Sequence, residues 1–213
     1  MKILVTAFDP FGGEAVNPAE LAVQRLPAEI AGATIVTAEV PTVFGIAGEK
    51  VAKLIAAENP DAVVCVGQAG GRNAVTPERV AINLRDARIP DNAGEQPLDT
   101  PVAAAGPAAY FTTLPVKAMT KAARDAGIPA SLSNTAGTFV CNDIMYSVLH
   151  HIATTKLPVR AGFIHVPYLP EQAAAHPGEP SMLLADIVTA LTAMLAALAT
   201  CETDISSVEG TIN

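Results

Sequence analysis

Six short apolar runs, separated by stretches of helical period, constrain this chain more than any other feature. They cover residues 3–8, 34–40, 62–66, 80–84, 130–133 and 160–166. Several are rich in β-branched residues and nearly free of charge, the pattern of strands buried on both faces. Helical segments alternate with them. Asn17-Pro18 supplies a cap and a first-turn proline for a helix running to about Leu26. Further helices are predicted over 46–58, ended by Asn59-Pro60, over 115–126, ended by Gly127, and over 141–154 and 181–201. Alternating strands and helices make an α/β layer fold with a largely parallel sheet. Residues 85–113 break the alternation: they are rich in Pro, Gly, Asp and Asn without clear period. A long irregular stretch of this kind in a compact domain tends to carry function.

The chain has 213 residues, half of them hydrophobic and 16% charged, enough for a substantial core. No linker or repeat divides it, so residues 1–213 are expected to form one domain. The net charge of -8 and the lack of a Lys/Arg cluster disfavour nucleic acid and anionic membrane as partners. The long apolar stretch 182–201 is dominated by Ala and interrupted by Asp186, which fits a buried helix better than a membrane span. The first residues enter a strand pattern directly, without the charged head and apolar run of a secretion signal. Three cysteines at irregular spacing suggest a reducing, cytoplasmic setting and form neither a disulfide framework nor a zinc signature.

Of those three, Cys141 follows the loop-like Thr135-Ala136-Gly137-Thr138-Phe139-Val140 and opens a helix. A thiol at a helix start meets unpaired N–H groups and the positive end of the dipole, which favour a thiolate and can hold an oxyanion. A small buried hydrophobe would sit there equally well, and position alone does not choose. Cys65, inside Val63-Val64-Cys65-Val66-Gly67, reads as core, and Cys201 as a surface or subunit-contact thiol. Among the histidines, His150 and His151 fall late in the Cys141 helix, where solvent and the dipole suit them, and His176 lies in a loop. His165 ends the apolar strand Gly162-Phe163-Ile164-His165-Val166, at the carboxyl edge where open α/β sheets bind ligands. It is either a satisfied strand-end residue or a general base. Glu78 precedes a strand and could orient His165, although on the residues alone an ion pair with Arg72 or Arg79 is favoured. The Gly-rich segments after the first and third runs match no nucleotide-binding pattern and read as tight turns lining a cleft. No cofactor or metal is implied.

Seven blocks, in order from residue 1 to about 172, resemble pyroglutamyl peptidase type I. They are Phe8-Asp9-Pro10-Phe11-Gly12-Gly13, Gly67-Gln68-Ala69-Gly70-Gly71-Arg72, Pro77-Glu78-Arg79-Val80-Ala81-Ile82-Asn83 and Ala87-Arg88-Ile89-Pro90-Asp91-Asn92, then Gly106-Pro107-Ala108-Ala109-Tyr110, Ala136-Gly137-Thr138-Phe139-Val140-Cys141-Asn142 and Phe163-Ile164-His165-Val166-Pro167-Tyr168. The resemblance implies a three-layer α/β/α fold with a twisted sheet, homotetramers, and removal of N-terminal pyroglutamate from peptides. It implies Cys141 as nucleophile, His165 as base and Glu78 as orienting carboxylate. Phe8, Phe11, Gln68 and Val140 match substrate-pocket positions, while Arg88 lies in a block near the site without an assigned role. Asp143 departs from the histidine common in relatives, which a solvent-facing helix position would tolerate. Two other readings compete: an amidase of the same fold acting on another cyclic or acylated amine, and a binding module in which Cys141 is structural.

Overall fold

The computed structural model describes residues 1–210. In chain order its elements are β1 (Lys2–Phe8), α1 (Pro18–Val23), β2 (Glu29–Ile30), β3 (Ala33–Val40), α2 (Ile46–Glu58), β4 (Ala62–Gln68), β5 (Thr76–Pro77), β6 (Val80–Ile82), β7 (Ala109–Phe111), α3 (Val116–Asp125), α4 (Val140–Thr155), β8 (Arg160–Val166), α5 (Pro170–Ala173) and α6 (Leu184–Thr200). A six-stranded mixed sheet runs β2-β3-β1-β4-β8-β5. Its four central strands are parallel, and the short outer strands β2 and β5 are antiparallel to their neighbours.

The period of two along each central strand divides the core. Ile3, Val5, Val64, Val66 and Ile164 point to one face, where α1, α3 and α6 pack. Leu4, Phe8, Val63, Cys65 and Phe163 point to the other, against α2 and α4. Helices on both faces make the α/β/α layering. The parity also sorts the site: His165 falls on the face of Phe163, beneath α4, and Gln68 on the face of Val66.

Two of the six expected strands lie elsewhere. Residues 80–82 leave the main sheet and pair with β7 as a separate ribbon. Residues 130–133 form only isolated bridges, Val75 with Ala130 and Glu78 with Ser133, because a short edge segment meets β5 for barely two residues. The expected helix at 181–201 begins three residues later, since Ser181 bridges to Tyr168 before the chain turns helical. Among the described residues no helix is long and apolar enough to cross a membrane.

The irregular stretch is anchored rather than loose. Asn142, Tyr146 and His150 recur every four residues along one face of α4. Asn142 bonds Ile82 in both directions and also donates to the Leu84 carbonyl. Tyr146 donates to the Pro107 carbonyl at 2.7 Å, and His150 meets the Tyr110 hydroxyl at 2.9 Å. His150, expected to face solvent, is thus half-buried against two tyrosines, with its ring stacked on Tyr146.

Candidate active site

A cavity of about 680 Å³ opens at the carboxyl ends of β4 and β8. Cys141 and His165 both line it, with Gln68, Phe11, Phe139 and Arg88 among the surrounding side chains.

Cys141 is the second residue of α4, after the cap residue Phe139. The turn that delivers it needs Gly137, whose φ of 77° an L side chain rarely adopts, and is tied down by Thr138, which donates to the Asp86 carbonyl at 2.7 Å. Below it, Gly67 serves close packing rather than a turn. A Cβ there would come within 2.7 Å of the Phe163 ring and 3.2 Å of Cys141 Sγ.

His165 is 4% exposed, and its ring packs 4.7 Å from Phe163. β5 runs antiparallel to β8 with Thr76 opposite His165 and Pro77 opposite Ile164. Proline suits this outer strand because it offers no N–H to the ladder. Glu78 follows, fully buried, and its Oε1 lies 2.7 Å from His165 Nδ1. The same oxygen accepts from Arg72 Nη1 at 2.6 Å. Arg72 also donates to the Thr76 hydroxyl and to the Thr135 carbonyl, in the loop that leads to Cys141. Both readings of Glu78, histidine partner and ion-pair partner of Arg72, hold at once. The sequence offered Arg72 and Arg79 as ion-pair partners for Glu78, and the structure pairs Arg72 with it.

Electrostatics qualify the expectation of a helix-stabilised thiolate. A helix N-terminus is worth about 0.3–1 kcal/mol, less than about one pKa unit. Burial acts the other way and more strongly, pushing the Cys141 thiol up to about 12, with the Glu78 charge adding to the rise and Arg72 opposing it. Burial also lowers the His165 pKa, against the raising effect of Glu78. Both shifts favour a neutral thiol and a neutral imidazole at rest. Cys65 is likewise pushed up to about 12 by burial.

The aromatic walls differ from expectation. Phe11 lines the cavity, with Phe139 at 6.0 Å between ring centroids and Phe44 set edge-on behind Phe139. Phe8 does not line it: the ring is 1% exposed and packs on Phe163 at 6.2 Å, because the parity of β1 turns it into the core beneath α4. Val140 is likewise fully buried. Arg88 faces the cavity with Asp86. At the rim His176 reaches Glu14 at 2.6 Å and stacks on Tyr168.

Asp143 contradicts the expectation of a solvent-facing position. It is fully buried, accepting from Arg85 Nε at 2.6 Å and from the Gly45 N–H at 2.8 Å. The face of α4 that would meet water is covered by the 85–113 stretch, and Arg85 supplies the countercharge. Burial raises the Asp143 pKa, with the Gly45 N–H and Arg85 opposing. Among the described residues no group of three or more His, Cys, Asp or Glu side chains is arranged to hold a metal ion.

Comparison with known proteins adds to this geometry. A family model described as pyroglutamyl peptidase matches residues 1–201. A pyrrolidone-carboxylate peptidase of Levilactobacillus brevis is 59% identical over 204 residues, covering 96% of this chain and all of that protein. One from Enterococcus faecalis is 59% identical over 211 residues, with 99% of each chain covered. Among solved structures, pyroglutamyl peptidase I from Bacillus amyloliquefaciens superposes with a TM-score of 0.93 at 46% identity, over 97% of this chain and 99% of that one. A mutant pyrrolidone carboxyl peptidase from Pyrococcus furiosus gives a TM-score of 0.89 at 43% identity, over 93% and 98%.

Proposed function

Since this chain belongs to the pyroglutamyl peptidase family, a family of cysteine peptidases, and has its peptidase activity, we propose that Cys141, His165 and Glu78 perform the reaction on peptides with an N-terminal pyroglutamate. The observation that carries this reading is the buried Glu78–His165 bond of 2.7 Å at the wall of a cavity that Cys141 shares.

The chemistry follows from the protonation states. With both thiol and imidazole neutral, attack is base-assisted. His165 Nε2 takes the proton as Sγ bonds to the pyroglutamyl carbonyl carbon. Glu78 holds Nδ1 as the donor, leaving Nε2 as the base, and stabilises the imidazolium that forms. In this reading the first-turn N–H groups of α4 are the donors that hold the oxyanion. The imidazolium then protonates the leaving amine. Water, activated by the same base, hydrolyses the thioester and releases pyroglutamate.

Substrate recognition rests on the cavity walls. Pyroglutamate has no charged amine, so apolar ring faces suit it, and Phe11 and Phe139 supply them. Gln68 meets the polar edge of the lactam. Phe8 and Val140 contribute from behind, Phe8 by supporting Phe163 and through it His165. The homotetramer and cytoplasmic setting implied by the resemblance belong to this reading. Three free cysteines agree with a reducing compartment. A shallow groove between α3 and α6, with Cys201 at its edge, offers a surface for subunit contact.

Relative turnover of a pyroglutamyl amide and the matching prolyl amide tests the substrate assignment. A site built around a polar group rejects an analogue lacking it by about 10⁴ or more. Discrimination on that scale is expected. Comparable specificity constants would favour the broader amidase reading.

A further inference from the structure

Gln172 is 4% exposed, sits on the four-residue helix α5, and has no role in the chemistry above. Its amide orientation is fixed by groups that cannot exchange donor and acceptor roles. The Leu169 N–H can only donate, and it reaches Gln172 Oε1 at 3.1 Å. Gln172 Nε2 must then face the other way. There its two hydrogens are divided among three acceptors: Oε1 of Gln68 at 2.9 Å, Oε2 of Glu14 at 3.0 Å and, at the longest distance, the Val16 carbonyl at 3.3 Å.

The contact with Gln68 determines what that residue shows the cavity. Turning the Gln68 amide over would set one NH₂ group against another, in a place where both side chains are buried and water cannot compensate. Gln68 must therefore keep its oxygen on Gln172, which leaves Nε2 as the free end of a residue that lines the cavity; that nitrogen donates to no group among the described residues. The Glu14 end is itself held: His176 reaches its other oxygen at 2.6 Å. The Gln172 bond keeps the Glu14 carboxyl below its usual range, so it remains an acceptor.

We infer that Gln172 is a positioning residue for substrate selectivity, locking Gln68 as a hydrogen-bond donor so that the site reads a ring carbonyl. This rests on the reading of Gln68 as a pocket residue.

Gln172→Glu should reverse the lock. An ionised carboxylate in that place offers Gln68 only acceptors. The protonated acid would give its proton to Glu14, the stronger acceptor, and still leave lone pairs toward Gln68. In either state Gln68 turns to donate inward and shows the cavity its own carbonyl.

The test is a double-mutant cycle on the full chain, reading the ratio of kcat/KM for a pyroglutamyl amide to that for the prolyl amide. The ratio should fall about 10- to 100-fold in Gln172→Glu. It should fall at least as far in Gln68→Met, with little further change when the two are combined. Gln172→Met, which frees the Gln68 rotor without reversing it, should lower the ratio only a few-fold and supplies the readout if Gln172→Glu fails to fold. A ratio left unchanged by the Gln172 variants, while Gln68→Met lowers it, would overturn the inference alone. An unchanged ratio in Gln68→Met would instead remove the pocket reading of Gln68 and this inference with it.

Discussion

Arg72 and His165 compete for one atom. Both bond Oε1 of Glu78, at 2.6 and 2.7 Å, in a site where Glu78 itself is fully buried. A guanidinium this close to the imidazole's partner lowers the basicity of His165 while holding the carboxylate in place.

Arg72→Met should therefore move the acid limb of the kcat/KM profile upward in pH. The imidazolium would gain an undivided carboxylate and lose a nearby positive charge. The pH–rate profile of variant against wild type checks this. A limb unmoved, with activity lower at every pH, would make Arg72 a structural strut only.

In the wild type the acid limb should lie below the ordinary histidine value of about 6.5, because burial lowers the His165 pKa. The same shift ties stability to pH. The unfolded chain protonates this histidine near 6.5, whereas the folded chain resists until lower pH. The contribution is thus complete above 6.5 and is lost as pH falls through the folded value. An acid limb well above 6.5 would show that Glu78 outweighs burial.

Substituting the residues of the proposed triad should give graded losses. His165→Ala removes the base and should cost about 10²–10⁴-fold in kcat/KM. Glu78→Gln keeps an oxygen for Nδ1 and should cost less. Full activity in Glu78→Gln would reduce Glu78 to an ion-pair partner of Arg72.

Asp143→Ala should destabilise the fold by about 3–5 kcal/mol, the range for breaking a buried pair from one side, since Arg85 and the Gly45 N–H both lose their acceptor. Chemical denaturation measures it. A loss below about 1 kcal/mol would mean that water replaces the carboxylate at no cost.

The layered fold was legible in the sequence itself, the proposed triad only through its resemblance to a family, and the site's supports hardly at all. The central strands could be read because β1, β4 and β8 are buried on both faces and show unbroken apolar runs. Residues 130–133 look the same in sequence but meet too little neighbouring strand to form one. Asp143 looked solvent-facing because helical period says nothing about what covers a helix, and its cover comes from Arg85, 58 positions away. Phe8 and Phe11 looked alike in one motif, yet strand parity sends Phe8 into the core. Gln172 had no signal at all: its meaning depends on Glu14 and Gln68, brought to it from 158 and 104 positions away.

Burial pushes the thiols of Cys65 and Cys141 alike up to about 12, so their difference must come from His165 and from access to the cavity. Hydrolysis of a pyroglutamyl amide by the full chain and by Cys141→Ala, with Cys65→Ala and Cys201→Ser as controls, tests the central claim most directly. The predicted result is turnover by wild type and both controls, iodoacetamide inactivation at Cys141, and a loss of about 10⁴-fold or more in a folded Cys141→Ala. Turnover by Cys141→Ala at the wild-type rate would contradict the account.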